Sequence, residues 1–414
     1  MGKLKKMTVN YKLNFNTDSG SVFVFYTSLI MVCYILPALK ITIPYIFAAL
    51  LMLVFLPIAM IKMQNNLNFC MVLFAATFLS AIFYFINGIY DPSDMVNEAI
   101  RYIRFFLPVI WTLYAMRFCS PKQQRHMLII FGIVMTFILI KTIIALESNI
   151  WIARILAQDK TTDTAEIRAY RMGNVGGFEF SYMMGIVVIC LTWAALRCKK
   201  VLAKILCVAG AVIGFYYIIQ TMYMTLLILT SVGILLLLFF NTKSTYVKIL
   251  LVIVSIVASF SLAPFFKYLS EVFSGSLLSI KFSQFYDALT GGGTDSLGSR
   301  PDLIMDAVQR WLKSPIWGGY DTSVRTHSFV FSTLESIGLI GLFAFLWCIW
   351  GAYKSISSEL RKNKVETILL SIVFLYVFAL AVLNPIGYVF EVTIAAFFIT
   401  PLWSVLIGAG DHIA

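Results

Sequence analysis

Twelve apolar runs follow one another along the chain, at 21–39, 43–61, 68–86, 100–118, 127–146, 177–196, 201–219, 222–240, 247–266, 328–351, 366–383 and 386–408. As a helix, a run of about 18 or more such residues crosses a hydrocarbon core of roughly 30 Å. A closed barrel would instead show segments of about ten residues alternating in polarity, and these runs are apolar throughout. The expected fold is an all-α polytopic membrane protein with about 12 transmembrane helices. Composition agrees, with 60% hydrophobic and only 13% charged residues, where soluble domains carry roughly 25% charged.

The runs are too uniform to mark separate domains, and neither an internal repeat nor a low-complexity tract interrupts them. Residues 1–414 are expected to form a single integral membrane domain. Between the seventh and eighth runs stand only Gln220 and Thr221, so a tight helical hairpin is required there. The first run follows Lys3, Lys5, Lys6 and Lys12 and has no small-residue cleavage site after it. An uncleaved first helix is expected rather than a removed signal peptide.

A net charge of +12 raises the possibility of nucleic acid, but basic residues in helical membrane proteins serve topology. With the N-terminus in the cytoplasm, the inner loops and both tails collect 18 of the 32 basic residues, among them Arg117, Arg197, Lys199, Lys200, Lys354, Arg361 and Lys362. Among the acids, only Asp18, Glu359, Glu366 and Asp411 join them. This is the Lys/Arg bias that orients membrane helices, so both termini are expected in the cytoplasm and no nucleic-acid partner is expected. Of the seven cysteines, four lie inside apolar runs and Cys70, Cys119 and Cys198 fall on the inner side, so no disulfide framework is implied. The outer side then holds two large loops, 147–176 and 267–327.

Charges inside the spans are not scattered. Arg101, Arg104, Lys141, Glu179, Glu335 and Glu391 all fall in the outer halves of their helices, and Asn384 and Gln220 lie at outer turns. An ionisable group at mid-bilayer costs at least about 2.5–3.5 kcal/mol and is usually functional or paired. The distribution predicts a polar chamber open to the outer face, with the two loops as its lid. For Lys141 and Arg101 the alternative is snorkelling to the interface, which a short glutamate does poorly.

The stretch from Gly291 to Gly341 is the one long polar island. Glycines lead to Ser299, and Ser299 with Asp302 fits a capping box. Leu303, Ile304, Ala307, Val308, Trp311 and Leu312 then recur with helical period, while Asp302, Asp306, Gln309, Arg310 and Lys313 fill the other face, up to Pro315. A short amphipathic helix is expected, its apolar face on the membrane or the bundle. Its start offers free amides beside Arg300, which suits phosphate; the alternative is an ordinary cap with Arg300 paired to an acid such as Asp295.

Beyond it, Trp317 and Tyr320 present aromatic faces for sugar rings or for interface anchoring. Arg325 and His327 stand at the mouth of the tenth run. His327 either takes a proton from a hydroxyl nucleophile or rests on a carbonyl. Glu335, two turns further in, either orients a base or sugar hydroxyl or is the ion-pair partner of a loop arginine. In the other loop, Arg168 and Arg171 precede Gly173, Gly176, Gly177 and the helix carrying Glu179. Two such places in one chamber would suit a diphosphate.

The run SLGSRPDLIMDAVQRWLKSPIWGGY followed by THSFVFSTLESIGLIGLFAF resembles the region shared by bacterial O-antigen ligases and Wzy-type O-antigen or capsule polymerases. The positions that carry the likeness are Arg300, Pro315, Gly318, Gly319, His327, Glu335 and Gly338 to Gly341, with Arg171 nominated by RMGNVGGFEFSYMMG. The likeness covers about 65 residues. It implies a GT-C-like, metal-independent glycosyltransferase of the bacterial cytoplasmic membrane, without cofactor, acting on a glycan carried by undecaprenyl diphosphate. Membrane lipid is the other expected partner, and a chain-length regulator is a candidate that the sequence leaves open. By the same resemblance Arg300 and Arg171 bind the diphosphate, while His327 activates the acceptor hydroxyl; from the residues themselves, Arg168, Arg325, Glu179 and Tyr320 are further candidates for substrate binding and Glu335 for catalysis.

Two departures stand out: Ser328 where the family often has Asn, and Met222–Tyr223 where a Ser-Arg pair is frequent. The missing charge is expected to be supplied by Arg104 or Lys141. The THSFVFSTLESIGLIG run looks more like the polymerases than the ligases, which transfer the glycan to lipid A core. A flippase for lipid-linked sugars is the alternative of a different class, and would carry polar residues or broken helices in both halves of the membrane.

Overall fold

The computed structural model describes residues 18–42, 107–149, 151–158, 164–275, 277–290, 300–318, 328–363, 365–384 and 390–409, and within these it is helical, without strands. The helices are α1 Asp18–Ile35, α2 Pro37–Thr42, α3 107–118, α4 Pro121–Ser148, α5 Ile152–Gln158, α6 Ala165–Met172, α7 Phe178–Arg197 and α8 Val201–Thr221. There follow α9 Met224–Asn241, α10 Thr245–Val272, α11 Leu277–Thr290, α12 Arg300–Lys313, α13 Phe329–Lys362, α14 Ile368–Leu383, α15 Phe390–Ile394, a π-helical turn Ala395–Ile399, and α16 Thr400–Ala409.

Among the described residues, six helices are long and apolar enough to cross a membrane: α4, α7, α8, α9, the Gly338–Lys362 part of α13, and Phe390–Ile407. The two arms of α10, Thr245–Val257 and Phe260–Val272, make a seventh if they form one span. Two shorter apolar helices, Gly20–Ile35 and Ile368–Leu383, stand at the expected first and eleventh spans. The expected second and third spans, and the start of the fourth with Arg101 and Arg104, lie outside the described residues.

Where the helices depart from unbroken spans, the cause is local. Pro37 has no N–H to give to the preceding turn, so α1 ends before it and α2 starts on it. The α8–α9 hairpin turns at Met222 and Tyr223, two residues later than the apolar run suggests. Met222 adopts a left-handed conformation, φ 59° and ψ 24°, that ends α8, and Tyr223 is the N-cap of α9. In the last span the π-helical turn takes carbonyls off the usual ladder. The Thr400 hydroxyl donates to the Ala395 carbonyl at 2.8 Å, and the Thr112 hydroxyl donates to that of Phe397.

α7 is the axis of the bundle, packed by α8, α9, α14 and the last span. Tyr182, Met183, Ile186, Ile189 and Trp193 are buried on several of its sides, as expected of a helix apolar all round. Inside a membrane the gain comes from close packing, which small residues permit. A methyl group on Gly185 would overlap the Tyr376 hydroxyl and lie 2.7 Å from the Thr230 hydroxyl.

The antiparallel run of the helices gives the bundle two ends. The start of α7, the end of α14 and the start of α13 share one end, because the Asn384 amide donates to the Tyr182 hydroxyl at 3.0 Å and its carbonyl accepts from Phe329 N–H at 3.3 Å. Ion pairs respect this division. Arg117–Glu359–Lys362 and Arg197–Glu366 lie at one end, and Lys40–Glu391 and Arg310–Glu335 at the other. Each pairs residues that the charge bias assigns to the same side.

Candidate functional site

The end that holds Asn384 gathers the candidate residues in two clusters. The first is built on α2 and α6, which pack on each other. The Thr164 hydroxyl caps α6 by accepting from Ile167 N–H. After Gly173 the chain turns through Asn174, left-handed at φ 59°, whose side-chain oxygen accepts from Ala38 N–H at 3.2 Å. Gly176 N–H then donates to the Thr142 hydroxyl of α4 at 2.8 Å. The segment that presents Arg168 and Arg171 is thus tied to α2 and α4 before it enters α7. Arg168 is exposed and Arg171 half-buried in the last turn of α6. Lys40, in the last turn of α2, pairs with the buried Glu391 at 2.5 Å. Glu179 sits half-buried in the first turn of α7.

The second cluster is a break in α13. Gly338 has φ 67° and ψ −162°, a backbone region open essentially to glycine alone. A methyl group there would overlap the Ile316 carbonyl oxygen and lie 2.6 Å from Gly318 N. The break frees the amides of the next turn, and the segment after α12 satisfies them. Leu339 N–H donates to the Pro315 carbonyl at 3.0 Å and Ile340 N–H to that of Ile316 at 3.4 Å. That segment is itself fixed, with Trp311 Nε1–H donating to the Pro315 carbonyl at 2.9 Å and Gly318 N–H to that of Ser314 at 2.7 Å. One turn before the break, Glu335 pairs with Arg310 of α12. Only 2% of the glutamate is exposed; at that burial a carboxylate needs a cation beside it to remain charged.

Between the clusters runs a buried polar seam. Tyr182 links Asn384 to the Tyr376 hydroxyl, which donates to the Tyr182 carbonyl at 3.1 Å. Ser181 and Tyr217 share a hydrogen bond of 2.7 Å. Phe178, Tyr182 and Tyr223 form an aromatic group, and the Tyr223 hydroxyl donates to the Ala153 carbonyl. Ser328 caps α13 by accepting from Phe331 N–H, and its own hydroxyl donates to Ala381 O at 3.5 Å.

Of the residues expected to do chemistry, Arg168 and Arg171 lie on α6, which packs on the helix that carries Lys40, and Glu335 pairs with Arg310. Glu335 realises its ion-pair reading. Arg300 opens α12, while its side chain and the Ser299 cap lie outside the described residues, as do Tyr320, Arg325 and His327 altogether. Lys141 is exposed beside Phe137, its Nζ 6.0 Å from the ring centre, on a face shared with Ile133, Phe137, Ile140 and Ile144, which fits its snorkelling alternative. At the Met222–Tyr223 departure the tyrosine closes the aromatic group with Phe178 and Tyr182. From sequence no site role falls to Lys40, Arg310 or Tyr182, and Tyr223 enters only as a departure from the family pattern. For Arg310 a signal existed, since an embedded acid calls for a cation and the preceding amphipathic helix carries one. Among the described residues no three His, Cys, Asp or Glu side chains gather in a group that could hold a metal ion.

No protein-family model matches the chain, and no curated protein matches it either.

Proposed function

We propose that the protein is a metal-independent glycosyltransferase that joins undecaprenyl-diphosphate-linked oligosaccharide repeat units into an O-antigen or capsular polysaccharide, at the outer face of a bacterial cytoplasmic membrane. The observation that carries this reading is convergence. Three stretches resemble the polymerases: the Arg171 segment and the mouth of α13 meet at one end of the bundle through Tyr182, Asn384 and Phe329, and α12 packs on α13 beside them through Arg310 and Glu335.

In this reading the acceptor hydroxyl oxygen forms a bond to the anomeric carbon of the donor while the bond from that carbon to the diphosphate oxygen breaks. His327 takes the hydroxyl proton. Arg300 and Arg171 hold the diphosphate and offset the charge that develops as it leaves, which is where electrostatic stabilisation counts most. Glu335, held by Arg310, is a positioning residue: it ties α12 to the helix that His327 precedes. Ligation of the glycan to lipid A core would use the same donor chemistry.

A second reading, movement of lipid-linked sugar across the membrane, is favoured by one observation, the discontinuities at Pro37, Gly338 and the π-helical turn, since broken helices are a feature of transporters. The products of a deletion strain separate the three. Single repeats on the lipid core are expected, as a lost polymerase leaves them. Long polymer retained on the carrier lipid would mark a ligase, and repeat units trapped at the cytoplasmic face would mark a flippase.

A further inference from the structure

α12 has two apolar faces, and the bundle uses one. Ala307 is buried, and Leu303, Ile304, Val308 and Trp311 are half-buried where α12 packs on α13. Beside that packed face Met305 and Leu312, seven residues apart, are more than half exposed, and so is Ile316 in the turn after α12, with Trp317 exposed next to it. Asp306, Gln309 and Lys313 flank this stripe and are exposed too.

The place of the stripe in the fold says what covers it. The carbonyls of Pro315 and Ile316 cap Leu339 and Ile340, so the stripe ends at the first turn of the Gly338–Lys362 segment, which is long and apolar enough to cross a membrane. Phe343, one turn further, and then Trp347 and Trp350 form an exposed apolar line down that segment. On a helix of this kind such a line faces lipid. The α12 stripe continues that surface at the level where the hydrocarbon gives way to headgroups, and Trp317 stands at the join, as interfacial aromatics do.

We propose that α12 is an in-plane helix seated in the bilayer interface at the site end of the bundle, with Met305, Leu312 and Ile316 in the acyl layer and Asp306 and Lys313 at the headgroups. The partner of this surface is lipid. Its effect is to fix the depth of α12, and through Arg310 and Gly338 that of the α13 break.

The test places a genetically encoded spin-labelled residue at position 312 or 316 of the full chain, or at 306 or 313 for reference. Each protein is reconstituted in phosphatidylcholine–phosphatidylglycerol nanodiscs, and collision rates with oxygen and with a water-soluble nickel chelate are measured. These side chains are at the surface, so the labels leave the packed face of α12 untouched. The oxygen-to-nickel ratio is expected to be several-fold higher at 312 and 316 than at 306 and 313. Equal nickel collision at all four positions would place the stripe in water and overturn the proposal. Low collision with both reagents at 312 and 316 would also overturn it, because protein, such as a second copy of the chain, would then be the cover.

Discussion

Arg310 and Arg171 stand in short helices at the same end of the bundle, yet the fold holds the two places differently. Arg310 is spent on Glu335, in a pair whose acid is almost fully buried and which adjoins a glycine-only break. Around Arg171 it is the backbone that is pinned, by Asn174 and Gly176, while the arginine stays half-buried and its neighbour Arg168 is exposed. The first arrangement holds two helices together. The second fixes the backbone of a basic segment at the site end of the bundle.

The largest effect is expected where the buried pair is broken. Glu335→Ala should destabilise the protein by about 3–5 kcal/mol, read as a lower midpoint of thermal aggregation in detergent. Replacing both partners, Arg310→Met with Glu335→Leu, should recover most of that loss, since an apolar pair of similar volume leaves no buried charge. A double variant as unstable as the single one would show that the pair does not hold α12. One that is stable but inactive would give Glu335 a chemical part as well.

Arg171→Ala should do the reverse, lowering the polymerisation rate about 10²–10³-fold while thermal stability stays near that of the unaltered protein. Next in size, Gly338→Ala should cost about 1–3 kcal/mol through its backbone conformation, and should expose the 314–318 segment to proteolysis as the caps on Leu339 and Ile340 are lost. Smallest of all, Arg168→Ala should change stability by no more than about 0.5 kcal/mol. A larger shift in the melting midpoint would show that the α6 arginines serve the scaffold as Arg310 does.

Hydropathy made the long helices legible. α4, α7, α8 and α9 stand where the apolar runs stand, to within a few residues, because runs of that length must satisfy their backbone groups internally in lipid. The breaks were not legible, and the reason is that their causes are distant or silent in polarity. GLIG inside an apolar run reads as more helix; what makes Gly338 a break is the Ile316 carbonyl pressed against it. The π-helical turn spells AAFFI, indistinguishable by pattern from the helix on either side. Lys40 and Glu391 are 351 positions apart, so no local period joins them. In the candidate site, sequence brought forward Arg171 and Glu335 and the glycines next to them. The Tyr182–Asn384 seam between the clusters depends on which helices become neighbours, which hydropathy does not encode.

Under the proposed function, residues of this end extend a lipid-linked glycan without nucleotide sugar or divalent metal. Purified protein in liposomes, given undecaprenyl-diphosphate-linked oligosaccharide and a chelator, tests it directly. The unaltered protein is expected to lengthen the glycan, and Arg300→Ala and His327→Ala to be folded in the membrane but inactive. Full-length polymer from both variants, or extension that appears only when metal is restored, would contradict the account.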